Sequence, residues 1–241
     1  MNFLKSLFKA TVPSVFRNAL RRWLAPYRLR QSWLSRKTTK DDDHLTLYWN
    51  AEHQPNRKQL IFLLVEEIKR MLEVCTTSIS VLEYGSHVGL NLKLLNDVLP
   101  LNPQTAYFAV EPNAEAVAFL IMKLPFVQVL RGEDEVFCRQ TDFPPEGRYL
   151  SFVNSVFYAM EARRAKAALA RICSFSDVVV LGESIVNVDG SESRMRNHPE
   201  CFEHPYRRWL DALGFEIVSL EQAPDPRPQL NGFIVARRRE T

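Results

Sequence analysis

Residues 81–95 read VLEYGSHVGLNLKLL, Val81 to Leu95. The apolar run Ile79 to Glu83 ends at a carboxylate, Gly85 and Gly89 follow, and Leu90 to Val98 has helix character that stops before Pro100. The pattern is a strand, a glycine turn and a helix start. Glycine permits a tight turn and lets a ligand approach the backbone without a Cβ in the way. No Lys-Ser/Thr pair follows, so this is not a nucleotide-phosphate loop. It is also a poor dinucleotide fingerprint, because His87 and Leu90 stand where further glycines are needed.

Outward from this stretch, strand and helix patterns alternate. Ile61, Leu64, Val65, Ile68 and Leu72 form a helix stripe ahead of it. After it, Ala106 to Val110 reads as a strand stopping at Glu111, with Pro112 suited to the first turn of a helix carrying Ala114, Val117, Ala118 and Ile121. Val127 to Leu130, Leu150 to Val153 and Val178 to Leu181 are further strands, and Ala162 to Ile172 is a helix by propensity. Tyr206, Trp209, Leu210 and Leu213 share a helix face that Gly214 closes at positive φ. Phe215 to Leu220 and Phe233 to Ala236 are the last strands. This order predicts an α/β fold: a doubly wound, mainly parallel, seven-stranded sheet covered on both faces.

The chain has 241 residues, 46% of them hydrophobic and 24% charged, enough for a sizeable core. Its net charge of +3 conceals an asymmetry. Residues 1–40 hold ten Lys/Arg and no Asp or Glu, while the rest carries 21 basic and 28 acidic groups. Val15, Phe16, Ala19, Leu20, Trp23 and Leu24 fall on one helical face, with Arg17, Arg21 and Arg22 largely off it. Three readings of this basic, helical arm stand: a helix lying on an anionic membrane face, an Arg-rich organellar transit peptide, and a cap packed on the body. The acidic run 41–43 reads as a solvated linker, which divides the chain into an arm and linker, 1–57, and a domain, 58–241. The four cysteines form no CxxC motif and read as reduced thiols of a cytoplasm-like compartment, and the His and Cys spacing offers no metal site.

In open α/β sheets ligands bind outside the carboxyl ends of the strands. The residues there are Glu83–Tyr84–Gly85, Glu111, Gly132–Glu133–Asp134, Asn154 and Glu183. Four of these five clusters contain a carboxylate. An acid-lined rim suits a ligand with hydroxyls, amines or positive charge rather than a bare phosphate.

At these residues the chain resembles the class I S-adenosylmethionine-dependent methyltransferases over roughly residues 58–238. Glu83, Gly85 and Gly89 match the acid-x-Gly-x-Gly-x-Gly motif, with His87 in place of the middle glycine. Glu111 matches the acid closing the second strand, Gly132-Glu133-Asp134 the third-strand turn, and SFVNSVFYAM (151–160) the polar–aromatic segment after the fourth strand. RRWLDALGFEIVSL and NGFIVARR match the closing helix and strands. The resemblance implies a Rossmann-like methyltransferase fold with S-adenosylmethionine as cofactor. It implies that Glu111 binds the ribose diol, Gly85 and Gly89 let the backbone pass the ribose and methionine part, and Glu83 orients the methionine amine or the glycine turn itself. Glu133 or Asp134 then receives the adenine amino group, and Asn154 sits beside the methionine end. Without the family, Glu111 is a helix N-terminal acid, the glycines are a plain turn and Glu133–Asp134 is a solvated one. His87 is read as a surface position, against a cover over the cofactor or a substrate contact.

Catalysis by alignment needs few covalent groups, but an oxygen acceptor needs a base or a metal. Tyr158, Glu183, His198 and His204 are the candidates, with Glu192 to Tyr206 as the acceptor segment. Asn154-Ser155-Val156-Phe157 is not the Asn-Pro-Pro-aromatic motif of base and amide methylating enzymes, which lowers a nucleic-acid acceptor. The reading is methyl transfer to a small-molecule or glycan acceptor, with an anionic membrane surface as a partner of residues 1–40. The alternatives are a nucleic-acid or protein methyltransferase, a non-enzymatic binding module, and a nicotinamide-dependent oxidoreductase.

Overall fold

The computed structural model describes residues 43–51, 54–74, 78–99, 105–143, 145, 147–197 and 200–240. The basic arm, residues 1–40, lies outside the described residues, as does His198. Two helices open the described chain, α1 (Asp43–Trp49) and α2 (Pro55–Val74). Then come β1 (Ile79–Tyr84), α3 (Leu90–Val98), β2 (Thr105–Glu111), α4 (Ala114–Lys123), β3 (Val127–Arg131), α5 (Asp134–Arg139) and β4 (Arg148–Asn154). A 3-10 turn (Phe157–Ala159) leads to α6 (Ala162–Phe175), β5 (Ser176–Glu183), β6 (Arg194–Asn197) and β7 (Glu200–Glu203). The chain closes with α7 (Tyr206–Ala212), β8 (Phe215–Gln222) and β9 (Gly232–Arg238).

The main sheet has seven strands in the order β3-β2-β1-β4-β5-β9-β8. β1 to β5 are parallel, and β9 is antiparallel to both β5 and β8. This is the doubly wound, mainly parallel sheet anticipated from the sequence. Its inner strands β2, β1, β4, β5 and β9 are buried on both faces, which is why they read as continuous apolar runs, while the edge strands β3 and β8 are partly exposed. Ile79 and Val81 of β1 face a core with Leu64, Leu92 and Leu120 of α2, α3 and the α4 helix. Leu82 and Tyr84 face a second core with Phe137, Leu169 and Trp209 of α5, α6 and α7. The period of two along each strand therefore sorts residues between two helical layers.

Local choices agree with this arrangement. Asn113 caps α4, which leaves Pro112 just before the helix rather than in its first turn: the Asn113 side-chain oxygen accepts from the N–H of Glu115 at 2.9 Å and of Ala116 at 3.2 Å. Gly214 has φ +79°, as its place after α7 requires. The expected linker departs from expectation. Residues 43–49 are helical, α2 begins at Pro55, and this stretch forms one wall of the cavity described below. The β6–β7 hairpin was not foreseen either, because its short strands lie among charged residues with no apolar alternation to mark them.

Candidate active site

A cavity of about 670 Å³ opens at the carboxyl ends of β1, β2 and β4, where the strand order reverses. Its floor is the turn after β1. Gly85 there has φ +79°, and a Cβ on it would overlap the Val156 side chain. Gly85 thus lets the turns after β1 and β4 touch beneath the cavity. Gly89 does something else. With φ +76° it starts α3, a Cβ there would press on Leu120 and Leu124 at 3.0 Å, and it does not line the cavity. Its smallness serves helix packing rather than ligand passage.

Glu111 ends β2 and is buried. Its Oε2 accepts from the His87 N–H at 2.7 Å and its Oε1 from the Asn113 N–H at 2.9 Å. Burial pushes its pKa up against these two donors. Each oxygen retains a second acceptor direction, so the carboxylate is braced and still able to take a pair of hydroxyls.

Glu83 is 1% exposed. Its Oε1 accepts from Asn91 Nδ2 at 2.7 Å, and Asn91 Oδ1 accepts in turn from Arg57 Nε at 3.0 Å. Its Oε2 is buried with no hydrogen-bond partner. Burial raises its pKa to about 8, offset in part by Asn91 and Arg57 and reinforced by Glu111. Ser86 Oγ and Asn154 Oδ1, also on the cavity lining, are buried and unpartnered as well. Buried polar atoms are rarely left unpaired, so three on one cavity ask for a ligand that donates hydrogen bonds or carries positive charge.

Glu133 and Asp134 are spoken for. Arg164 of α6 donates from Nε to Asp134 Oδ2 at 2.8 Å and from Nη2 to Glu133 Oε2 at 3.0 Å, with a further contact to Asp134 Oδ1. These carboxylates raise the pKa of Arg164 and fix the turn after β3 to α6. The turn expected to receive an amino group thus lines the cavity with acids that Arg164 already holds in place.

Of the catalytic candidates, Tyr158 lines the cavity. Glu183 does not. It is 0% exposed, with Oε1 accepting from the N–H of Val156 (2.7 Å) and Phe157 (2.8 Å), and Oε2 from that of Tyr158 (3.1 Å). Burial pushes it up to about 8 against these three donors. His204 is also 0% exposed and off the cavity, so its expected catalytic place is corrected. Its Nε2 lies 2.9 Å from the Phe157 carbonyl and its Nδ1 2.9 Å from Ser193 Oγ, among the rings of Phe202, Tyr206 and Trp209. Nε2 therefore carries the proton, and burial lowers the pKa to about 4. Glu183 and His204 hold the 155–159 turn from behind. None of the described residues of 192–206 lines the cavity.

His87 corrects its surface reading. It is half-buried, lines the cavity and has φ +49°, and its ring packs 4.8 Å from that of Tyr48 on α1. The other non-glycine residue at positive φ among those described, Ser155 at +57°, is also on the lining. Backbone strain of this kind concentrates at functional sites. The sequence reading missed Arg57, Asn91, Tyr48 and Arg227. Tyr48 and Arg57 fall in the stretch read as linker, Asn91 on a helix whose apolar pattern was recognised and Arg227 in a loop, and nothing local marks which polar residue will face a cavity.

Solved structures share this architecture. Magnesium protoporphyrin IX methyltransferase of Synechocystis PCC 6803, with bound SAM, is 14% identical over 99% of this chain and 96% of its own, with a TM-score of 0.55. The N-methyltransferase NodS of Bradyrhizobium japonicum WM9, in complex with S-adenosyl-L-homocysteine, is 12% identical over 90% and 100%, with a TM-score of 0.57. The CurJ carbon methyltransferase is 17% identical over 95% and 72%, with a TM-score of 0.58. No family model and no curated protein matches the chain. At these identities the likeness shows the fold: the chain has the fold of the class I S-adenosylmethionine-dependent methyltransferases.

Proposed function

We propose that the chain is an S-adenosylmethionine-dependent methyltransferase acting on a small-molecule acceptor. The observation that carries this reading is the pairing of two buried carboxylates, Glu83 and Glu111, at the ends of adjacent strands β1 and β2 on one cavity. When bound, S-adenosylmethionine would supply an electrophilic methyl group on a sulfonium sulfur, with S-adenosylhomocysteine as the leaving thioether. Glu111, braced by the His87 and Asn113 amides, takes the ribose diol. Glu83 Oε2, otherwise orphaned, takes the methionine ammonium, and Arg57 beyond Asn91 supplies the cation for the methionine carboxylate. The turn at Gly132–Asp134, held by Arg164, borders the adenine. Asn154 lies beside the methionine end, and Tyr158 orients the acceptor and holds a proton at its hydroxyl. The neighbours' printed acceptors include a porphyrin, and small-molecule acceptors, glycans among them, suit a cavity of this size.

Residues 1–40 add a peripheral role in this reading, bringing a cytoplasmic enzyme to an anionic membrane face. The support is the sequence pattern of Arg and Lys around Phe, Leu and Trp. No helix among the described residues is long and apolar enough to cross a membrane.

Calorimetry with S-adenosylmethionine, S-adenosylhomocysteine and NAD tests the function. Binding of the first two and not the third is expected. Binding of NAD alone, or of none, overturns it.

A further inference from the structure

The charges on the cavity are sorted by strand. Its carboxylates, Glu83, Glu111, Glu133 and Asp134, all come from the ends of β1, β2 and β3. The opposite half is walled by the 155–160 turn after β4 and by the loop joining β8 to β9. Among the described residues no carboxylate lines that half, and the charged side chain its loop contributes is Arg227. The cofactor half thus sets its carboxylates beside Arg57 and Arg164, whereas the charged group that the loop turns to the open half is Arg227.

Arg227 is not on a loose loop. Its N–H donates to the Leu230 carbonyl at 2.8 Å, and the Leu230 N–H returns a bond at 3.1 Å. Asn56 of α2 clamps the Asp225 backbone, donating to its carbonyl at 2.6 Å and accepting from its N–H at 2.8 Å. At the other end, Asn231 Oδ1 accepts from the Ile185 N–H at 2.7 Å, and its own N–H reaches the Glu183 carbonyl at 3.2 Å. Arg227 Nε and Nη2 both donate to Asp225 Oδ2, at 3.1 and 2.7 Å, and Nη1 takes no part. Asp225 thus orients the guanidinium. It neutralises it only weakly, because both partners are about half exposed, at 54% and 47%. Gln229 and Leu230 flank it on the lining.

We infer that this loop is the acceptor-recognition wall and that Arg227 selects an acceptor bearing a carboxylate or similar anionic oxygen group. A planar guanidinium fork fixed along one edge is suited to a carboxylate. This inference rests on the proposed cofactor site and specifies the acceptor of that site. It relocates acceptor recognition from the 192–206 segment to residues 227–230.

The test uses the full chain and three probes: S-adenosylhomocysteine, and two nitrogen-for-sulfur analogues carrying a short alkyl arm that ends in a carboxylate or in its carboxamide. Calorimetry is expected to give about tenfold tighter binding of the carboxylate arm than of the carboxamide. Arg227→Gln should equalise the two, and Arg227→Glu should invert the order, with affinity for S-adenosylhomocysteine unchanged in both. Equal affinities in the wild type, or a carboxylate preference that survives Arg227→Gln, overturns the inference while leaving the cofactor site intact. Failure of S-adenosylhomocysteine itself to bind overturns the cofactor reading and this inference with it.

Discussion

The backbone N–H of His87 donates to Oε2 of Glu111 at 2.7 Å, so the turn after β1 is fastened to the acid that ends β2. Glu111 therefore has two tasks, holding this turn and, in the proposed function, holding a ribose. Glu111→Ala is expected to weaken S-adenosylhomocysteine binding by ~2 kcal/mol, through loss of charge-assisted bonds and of the brace on His87. Glu111→Gln keeps one carbonyl acceptor and should fall between. Calorimetry on both folded variants checks this. Unchanged affinity for Glu111→Ala would remove the ribose assignment.

His87 holds an L-residue at φ +49°, where glycine costs less. His87→Gly should raise global stability by roughly 1 kcal/mol by relieving that strain. It should also loosen α1 by removing the ring packed on Tyr48. Two readouts are expected to move in opposite directions: a higher melting temperature and faster proteolysis within residues 43–54. A fall in both stability and protection would mean that the ring contact outweighs the backbone strain.

Glu83 is raised to about 8 and so is largely protonated at pH 7 with the cavity empty. An ammonium group arriving at Oε2 favours the ionised form, so binding of S-adenosylhomocysteine should release a proton and tighten as pH rises from about 6 toward 8. Calorimetry in buffers of different ionisation enthalpy reads the proton count. Glu83→Gln should abolish the release. In the unliganded protein the sign for folding is the reverse. The folded pKa lies above the unfolded one, so stability from this group is lost as pH rises from about 4.5 through about 8.

His204 has the opposite linkage. Its folded pKa, lowered to about 4, means that the unfolded chain takes up a proton first as pH falls below 6.5, and the stability due to neutral His204 is lost between 6.5 and 4. His204→Asn, which removes the titrating group and retains a donor, should be less stable than wild type by ~1–3 kcal/mol at pH 7. That difference should shrink on acidification. Denaturant unfolding of both proteins at several pH values measures it, and a constant difference would place the titration elsewhere.

For the arm, salt-sensitive sedimentation with anionic vesicles is expected for the full chain and not for a chain beginning at residue 41. Each Lys or Arg near an anionic surface contributes ~1 kcal/mol, and inserted apolar side chains add to it. Equal sedimentation of the two chains would sink the membrane role. A lower melting temperature on truncation, with no vesicle binding by the full chain, would favour a packed cap.

The strands and helices of the main sheet were legible in the residues alone. Apolar runs such as Ile79–Glu83 and Val178–Leu181, each near a carboxylate, and the helix stripes between them are local signals, since strand and helix periods are written within a few residues. The same locality exposed Glu83, Glu111 and Asn154, because a parallel strand's carboxyl end is by topology a cavity rim. What the tertiary structure decided is which polar side chains reach that rim. Glu183 and His204 looked catalytic in one dimension, yet they turn inward to hold the backbone of 156–158. Asp134 is held by Arg164, thirty positions along the chain. Arg57, Tyr48 and Arg227 arrive from a stretch read as linker and from a late loop. Side-chain partners across such separations depend on how helices and loops dock, and nothing in the residues nearest in sequence records that.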